Sequence, residues 1–172
     1  VTTSKATGKN IAGIVTYESI GYAFPLTITD PAAAAVPRPA NLGTLCNLTG
    51  AGCAFGPVGI PEEDFKKLAK LKKIQFVWGD NRPETELEVI RSRYCAALIN
   101  AYGGNAEVVK LGDIPGFEGS THIPFADMHN DKIAGLLFKL LKKNNLDGYA
   151  KNHGHDFAWD WDDDHGPGHG HH

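Results

Sequence analysis

The residue best suited to chemistry in this sequence is His122, which lies in a short polar loop. Three small residues precede it (Gly119, Ser120 and Thr121), Ile-Pro-Phe follows it, and an amphipathic helical pattern comes next. A histidine in a loop between a strand and a helix can act as a general base, because the scaffold on both sides fixes its ring. The alternative, from spacing alone, is a loop histidine held by a backbone hydrogen bond.

Three apolar, β-rich segments alternate with three helical patterns and would position this loop. The first two segments lack clean polar alternation, which is typical of strands buried on both faces of a parallel sheet. Predicted strands are 11–18, 74–81 and 106–111, and predicted helices are about 61–73, 84–102 and 130–143. This order predicts an α/β fold with a parallel sheet.

Two carboxylates, like His122, lie at or just after the carboxyl end of a predicted strand. Glu18 ends the first strand and Asp80 follows the second, as His122 follows the third. Functional groups of such sheets cluster beyond the carboxyl ends of the strands. We therefore expect these three side chains at one edge. The alternatives are a structural carboxylate bonding backbone amides for Glu18, and a turn residue for Asp80.

Composition excludes some classes of partner. The 172 residues carry a net charge of −3, which gives no electrostatic reason to bind nucleic acid or an anionic membrane surface. No apolar run approaches the roughly 20 residues that span a bilayer.

A cysteine pair and a glycosylation sequon indicate the compartment. Cys46 and Cys53 flank a glycine-rich loop that a disulfide could close, and Asn47 begins an Asn-Leu-Thr sequon between them. Together they favour a secreted glycoprotein whose signal has already been removed; the alternative is two unrelated cysteines and a chance sequon. Cys95, on a predicted helix, is either a buried thiol or the partner of a cysteine on another chain.

A long segment, 19–60, separates the first strand from the next helix and is rich in proline. So long a loop in a compact domain is commonly a lid or a binding loop. Tyr22, Phe24 and Phe55 are candidates to line a substrate pocket beneath it, although loop aromatics more often serve packing. We assign residues 1–150 to one α/β domain that includes this segment.

Four blocks of sequence resemble the C-terminal half of an α/β-hydrolase, over about residues 10 to 146. The branch concerned is that of bacterial and fungal esterases whose catalytic acid follows the sixth strand. The blocks are IVTYESIGYAFP, VWGDNRPE, INAYGGNAEVVKL and GSTHIPFADMHNDKIAGLLFKLL.

The resemblance implies a carboxylic-ester hydrolase with a Ser-His-Glu triad and no cofactor. His122 would be the base, Glu18 the acid, and Asp80 the fallback acid, because most other members of the superfamily keep theirs at that position. In such a triad the imidazole takes the proton of the serine hydroxyl, and the carboxylate orients the ring and stabilises the imidazolium. The substrate would be a small-molecule ester; amide and lactone hydrolysis use the same triad.

The nucleophile that the resemblance requires is missing. The G-x-S-x-G elbow should precede the first strand, and the chain contains no such motif. Three strands alone would also leave a sheet edge unpaired. We therefore expect the C-terminal part of a proteolytically cleaved heterodimer, completed by a companion chain that carries the serine and the first five strands.

Residues 151–172 form a tail of different composition, with six of the eight histidines and five aspartates. Such a segment can bind Zn²⁺, Ni²⁺ or Cu²⁺ loosely, and the alternative is a plainly disordered tail. The weak candidates for chelation are the pairs His153 with His155 and His169 with His171. The alternative function is thus a catalytically incomplete, hydrolase-like binding module whose tail binds metal.

Overall fold

The computed structural model describes residues 11–47, 56–128 and 130–148, and strands and helices alternate along them. In chain order the elements are β1 (Gly13–Tyr17), β2 (Ala23–Pro25), α1 (Pro31–Ala34), β3 (Cys46–Asn47), β4 (Val58–Ile60), α2 (Glu62–Phe65), β5 (Lys73–Trp78), α3 (Leu87–Ala101), β6 (Ala106–Lys110) and α4 (Asn130–Lys143).

The main sheet contains β1, β5 and β6 in that order, and all of its pairs are parallel. Val77 in the central strand lies opposite Tyr17 on one side and Val109 on the other. The prediction of a mixed α/β fold with a parallel sheet is confirmed. Among the described residues β1 pairs with β5 alone, so its other edge has no strand beside it.

Both faces of the main sheet are covered, as expected for a parallel sheet whose central strand β5 is rich in apolar residues. Alternate residues Ile74, Phe76 and Trp78 belong to the larger core, which also contains the buried face of α3. Val77 points to the opposite face and packs in a second cluster with Ile133 of α4. The sheet is therefore the middle layer between the two long helices.

Helix α3 is tied to the central strand by a buried polar contact. The indole Nε1 of Trp78 donates to Ser92 Oγ at 3.0 Å, and this hydroxyl donates to Val89 O at 2.7 Å. The helix ends where Gly103 takes a positive φ of 82°, a conformation that glycine adopts without a Cβ clash. The predicted end of this helix at Gly103 is confirmed.

Segment 19–60 is more ordered than the sequence suggests. Its strands β2, β4 and β3 form a second parallel sheet in that order. Each strand has two or three residues, which is too short for a periodic pattern to be recognised. The expectation of an irregular segment is therefore wrong for this part of it.

The single helix expected over 61–73 is also wrong. Helix α2 ends at Phe65, a 3-10 turn follows over Leu68–Lys70, and β5 already begins at Lys73. The Lys73 ammonium bonds Asn105 Oδ1 at 3.0 Å and pairs with Glu107. Because Lys73 pairs within the sheet, the helix ends earlier than the composition of 61–73 predicts.

One glutamate fastens segment 19–60 to the body of the fold. The Glu62 carboxylate accepts the Thr29 hydroxyl at 2.5 Å, the backbone N–H groups of Thr29 and Asp30, and the Tyr102 hydroxyl at 2.9 Å. The Thr29 hydroxyl is the main cause that lowers the pKa of Glu62 to about 2. The charged carboxylate is thus the form that the folded protein stabilises.

Candidate functional site

Glu18 follows β1 in an uncommon backbone conformation. Its φ is +49°, and its N–H donates to Val77 O at 3.0 Å, which continues the pairing of β1 with β5. For a residue with a Cβ, the left-handed region costs about 1–2 kcal/mol. Strained residues of this kind cluster at functional sites, so the conformation of Glu18 favours a functional role.

The Glu18 carboxylate is buried and held on both oxygens. Only 8% of its side chain is exposed. Oε1 accepts the Gly79 N–H at 2.6 Å, and Oε2 accepts Arg82 Nε at 2.8 Å. Arg82 also pairs with Glu86 at the start of α3. Burial opposes the charge on Arg82, but the hydrogen bond and charge of Glu18, together with Glu86, outweigh it and raise the pKa of Arg82.

Gly79 is the point at which Glu18 and the loop of His122 meet. A Cβ at Gly79 would lie 2.1 Å from Thr121 O and 2.9 Å from Ser120 O, so no other residue fits without moving backbone. The same glycine donates its N–H to Glu18. One residue therefore separates the carboxylate from the peptide group that immediately precedes His122.

Asp80 holds the loop rather than standing free beside it. Its Oδ2 accepts the Gly119 N–H at 2.8 Å, and its own N–H donates to Ser120 O at 2.9 Å. A Cβ at Gly112 would lie 1.9 Å from Asp80 Oδ1, so the carboxylate is closely packed on that side as well. This geometry is that of a carboxylate anchoring a turn.

His122 is exposed, and its ring is not hydrogen-bonded to any residue that the structure describes. The structure thus brings Glu18, Asp80 and His122 to the same edge of the sheet, beyond the strand ends, without a hydrogen bond between the histidine and either carboxylate. Catalytic hydrogen bonds often form fully only when the substrate is bound.

Exposed apolar side chains follow His122 and were not singled out from the sequence. The exposed fraction is 40% for Ile123, 60% for Phe125 and 94% for Met128. The Phe125 ring meets Tyr17 edge to face, with 6.3 Å between centroids. Tyr17 immediately precedes Glu18, so this aromatic pair connects the chain beside the carboxylate to the chain beside the histidine. The Ile-Pro-Phe after His122 is the signal that could have indicated this surface.

The pocket candidates Tyr22 and Phe24 lie in the hydrophobic core, with exposed fractions of 4% and 1%. Tyr22 packs against Phe76 and Phe24 against Tyr94, with 5.6 Å and 5.4 Å between ring centroids. Both rings fix segment 19–60 to the sheet and to α3. Phe55 lies outside the described residues.

Cysteine positions bear on the predicted disulfides. Cys46, at the start of β3, forms no disulfide with another described residue, and Cys53 lies outside the described residues, so their disulfide stays a prediction. The same holds for glycosylation, since the sequon of Asn47 continues beyond the described residues. Cys95 is 4% exposed within α3, and burial raises the pKa of its thiol to about 12. Its environment is that of a core residue.

Metal-binding groups were sought among the described side chains. Over residues 11–47, 56–128 and 130–148, no three His, Cys, Asp or Glu residues come together as metal ligands. The histidine pairs of the tail, His153 with His155 and His169 with His171, lie outside these ranges.

The chain matches no protein-family model, and no curated protein is significantly similar to it. Among the described helices, none is long and apolar enough to cross a bilayer.

Proposed function

We propose that this chain supplies the base and the acid of a secreted carboxylic-ester hydrolase. His122 is the general base and Glu18 the acid of a Ser-His-Glu triad. The serine lies outside these 172 residues, on a companion chain with a G-x-S-x-G elbow. The observation that carries the proposal is the contact through Gly79, which bonds the Glu18 carboxylate and touches the peptide group before His122.

Glu18 suits the role of the acid better than Asp80. Its carboxylate is 8% exposed, follows the end of β1, and belongs to a residue in a strained conformation. Each carboxylate oxygen accepts more than one hydrogen bond, so the bonds from Gly79 and Arg82 leave acceptor capacity for an imidazole N–H. The Asp80 carboxylate instead bonds the loop backbone at Gly119.

His122 would take the proton of the serine hydroxyl as that oxygen attacks the ester carbonyl, and would return it to the leaving alcohol. Glu18 would hold the imidazole tautomer and stabilise the imidazolium. Water then attacks the acyl-enzyme: His122 would take a proton from this water and give it to the serine oxygen as the carboxylic acid leaves. The exposed Ile123, Phe125 and Met128 favour a substrate with an apolar acyl or alcohol group.

The free edge of β1 agrees with a companion chain. Within the described part of the molecule this apolar strand pairs on one side only. A groove also runs along it, between Ile11, Ile14 and the α4 residues Leu137, Leu140 and Leu141. An apolar strand edge beside an apolar groove favours association with another polypeptide segment.

The test combines intact mass with serine-directed labelling. The natively purified protein is treated with a fluorophosphonate, and its mass is measured under non-denaturing and then denaturing, reducing conditions. We expect a second polypeptide that carries the label and p-nitrophenyl ester hydrolysis by the assembly. A lone chain of about 18.5 kDa without label would overturn the proposal.

The roles of the two carboxylates are separated by Glu18→Gln and Asp80→Asn in the same assembly. We expect Glu18→Gln and His122→Gln each to lower the rate of labelling by at least about 1,000-fold, as triad substitutions do. Asp80→Asn should have a smaller effect, through the loop. The reverse order would make Asp80 the acid.

A further inference from the structure

A third carboxylate, Asp127, contacts the residue directly before His122. Its Oδ2 accepts the Thr121 N–H at 2.8 Å, and its Oδ1 accepts the Thr121 hydroxyl at 2.6 Å. Asp127 follows the 3-10 turn Pro124–Ala126 and precedes α4, which begins at Asn130. Its carboxylate therefore connects the start of a long helix to the histidine loop.

The Thr121 hydroxyl extends this connection across His122. While its hydrogen is donated to Asp127, its oxygen accepts the Ile123 N–H at 3.2 Å. The residues on both sides of His122 are thus joined through one hydroxyl. In addition, Thr121 O lies against Gly79. The backbone beside His122 therefore has contacts with both Asp127 and Gly79, although the His122 ring is exposed.

From this geometry we propose that Asp127 is a positioning residue for His122. It acts through Thr121, by fixing the backbone that carries the imidazole. Its catalytic consequence rests on the proposed function, but the tether itself does not. Hydrogen bonds to a charged acceptor are about twice as strong as neutral ones, which makes a carboxylate effective for this purpose.

Two substitutions test the tether at its two ends. Asp127→Asn keeps the shape of the side chain but turns an acceptor into an amide donor that faces the donors of Thr121. Thr121→Val removes the hydroxyl and keeps the volume. The matched control is Asp131→Asn, which makes the same charge change at an exposed position in the first turn of α4.

Amide hydrogen exchange of the natively purified assembly gives the first readout. We expect faster exchange in peptides that cover 119–123 for Asp127→Asn and Thr121→Val, with α3 peptides unchanged. Asp131→Asn should match the wild type. If residues 119–123 exchange at the wild-type rate in both tether variants, the positioning role is overturned.

Labelling and kinetics give the second readout. We expect Asp127→Asn to lower the phosphonate-labelling rate and kcat by about 10- to 100-fold, the effect of a small displacement of a catalytic group, with KM nearly unchanged. Asp127→Glu should restore part of the rate. An unchanged kcat, or an effect on KM alone, would overturn the catalytic role of the tether.

The two proposals fail in different ways. If the wild-type assembly takes no label and hydrolyses no ester, the proposed function is wrong, yet faster exchange at 119–123 in Asp127→Asn would still support the tether. If the wild type is labelled and the tether variants match it in labelling and exchange, the proposed function stands and the role of Asp127 is overturned.

Discussion

Glu18 Oε1 lies 2.6 Å from the backbone nitrogen of Gly79 and accepts its N–H. This bond joins the residue after β1 to the residue after β5, so the ends of two neighbouring strands are connected by a side chain where their ladder stops. Gly79 also lies against Thr121 O. Most of what we infer about the site depends on these two contacts of one glycine.

The conformation and the contacts of Glu18 can be separated by two truncations. Glu18→Ala removes the bonds to Gly79 and Arg82 and keeps a Cβ at φ +49°. We expect it to lower the free energy of unfolding by about 1–3 kcal/mol, the cost of leaving buried partners unpaired. Glu18→Gly loses the same bonds but avoids the left-handed strain of about 1–2 kcal/mol, which outweighs the extra freedom of the unfolded glycine chain. Urea denaturation should therefore rank the Gly variant above the Ala variant; the opposite ranking would show that the strain is negligible.

Close contact at Gly79 predicts a second difference in stability. Gly79→Ala would place Cβ 2.1 Å from Thr121 O, so the histidine loop must move. We expect a loss of about 1–3 kcal/mol, as for other overpacked sites. The control is Gly135→Ala within α4, where a Cβ meets nothing within 4 Å and should stabilise the helix by about 0.5–1 kcal/mol. Thermal unfolding of both variants checks this, and equal effects would contradict the contact.

Glu62 predicts a dependence of stability on pH. The Thr29 hydroxyl and the other donors lower its pKa to about 2 in the folded protein, from an ordinary value of 4.5. A depressed folded pKa means that the stabilisation is fully present above about pH 4.5 and is lost as pH falls toward 2. Thermal unfolding midpoints measured from pH 2.5 to 7 should therefore fall less steeply with acid in Glu62→Gln than in the wild type. Glu63→Gln, at an exposed neighbouring position, should keep the wild-type slope, and a wild-type slope in Glu62→Gln would contradict the prediction.

With the proposed ester hydrolysis, the apolar surface after His122 predicts selectivity for the acyl chain. Phe125→Ala should lower kcat/KM for p-nitrophenyl octanoate by about 10-fold relative to the acetate ester, because a lost apolar contact discriminates by about that factor. Phe125 is 60% exposed, so its replacement should leave the fold intact. Phe138→Ala on α4, 45% exposed, is the control and should leave the ratio unchanged. An equal loss of kcat/KM for both esters would show that Phe125 does not select the acyl chain.

The main sheet could be predicted because its three strands are short segments rich in apolar and β-branched residues between turn signals. Helix α4 could be predicted from its helical period. Ile133 and Leu140 lie on the same face, about two turns apart, and both are buried. The second sheet could not, because strands of two or three residues depend on pairing with distant segments rather than on local pattern. Tyr22 and Phe24 show the same limit: their aromatic character indicates burial, but the partners that decide core or pocket lie far along the chain.

At the site, the order of strands was enough to expect Glu18, Asp80 and His122 at one edge. The sequence pattern could not show which carboxylate anchors the histidine loop, because this depends on which backbone N–H each carboxylate accepts. No sequence pattern indicates the role of Asp127, which lies five residues after His122 and accepts a hydrogen bond from the residue before it. Gly79 lies within the predicted strand 74–81, and no local pattern indicates its close approach to Thr121, about forty residues away.

The parallel order of the main sheet has a consequence for the route of folding. β5, α3 and β6 form one contiguous unit, residues 73–110, whose contacts close over short stretches of chain. β1 must instead join β5 across the more than fifty residues that contain the second sheet, and closure of a longer loop costs more entropy. We therefore expect the β5–α3–β6 unit to form early and β1 to dock late. Since Glu18 arrives with β1, the carboxylate and the histidine loop would meet only in the closing step, and a chain stalled before it would have a nearly complete core and no assembled site.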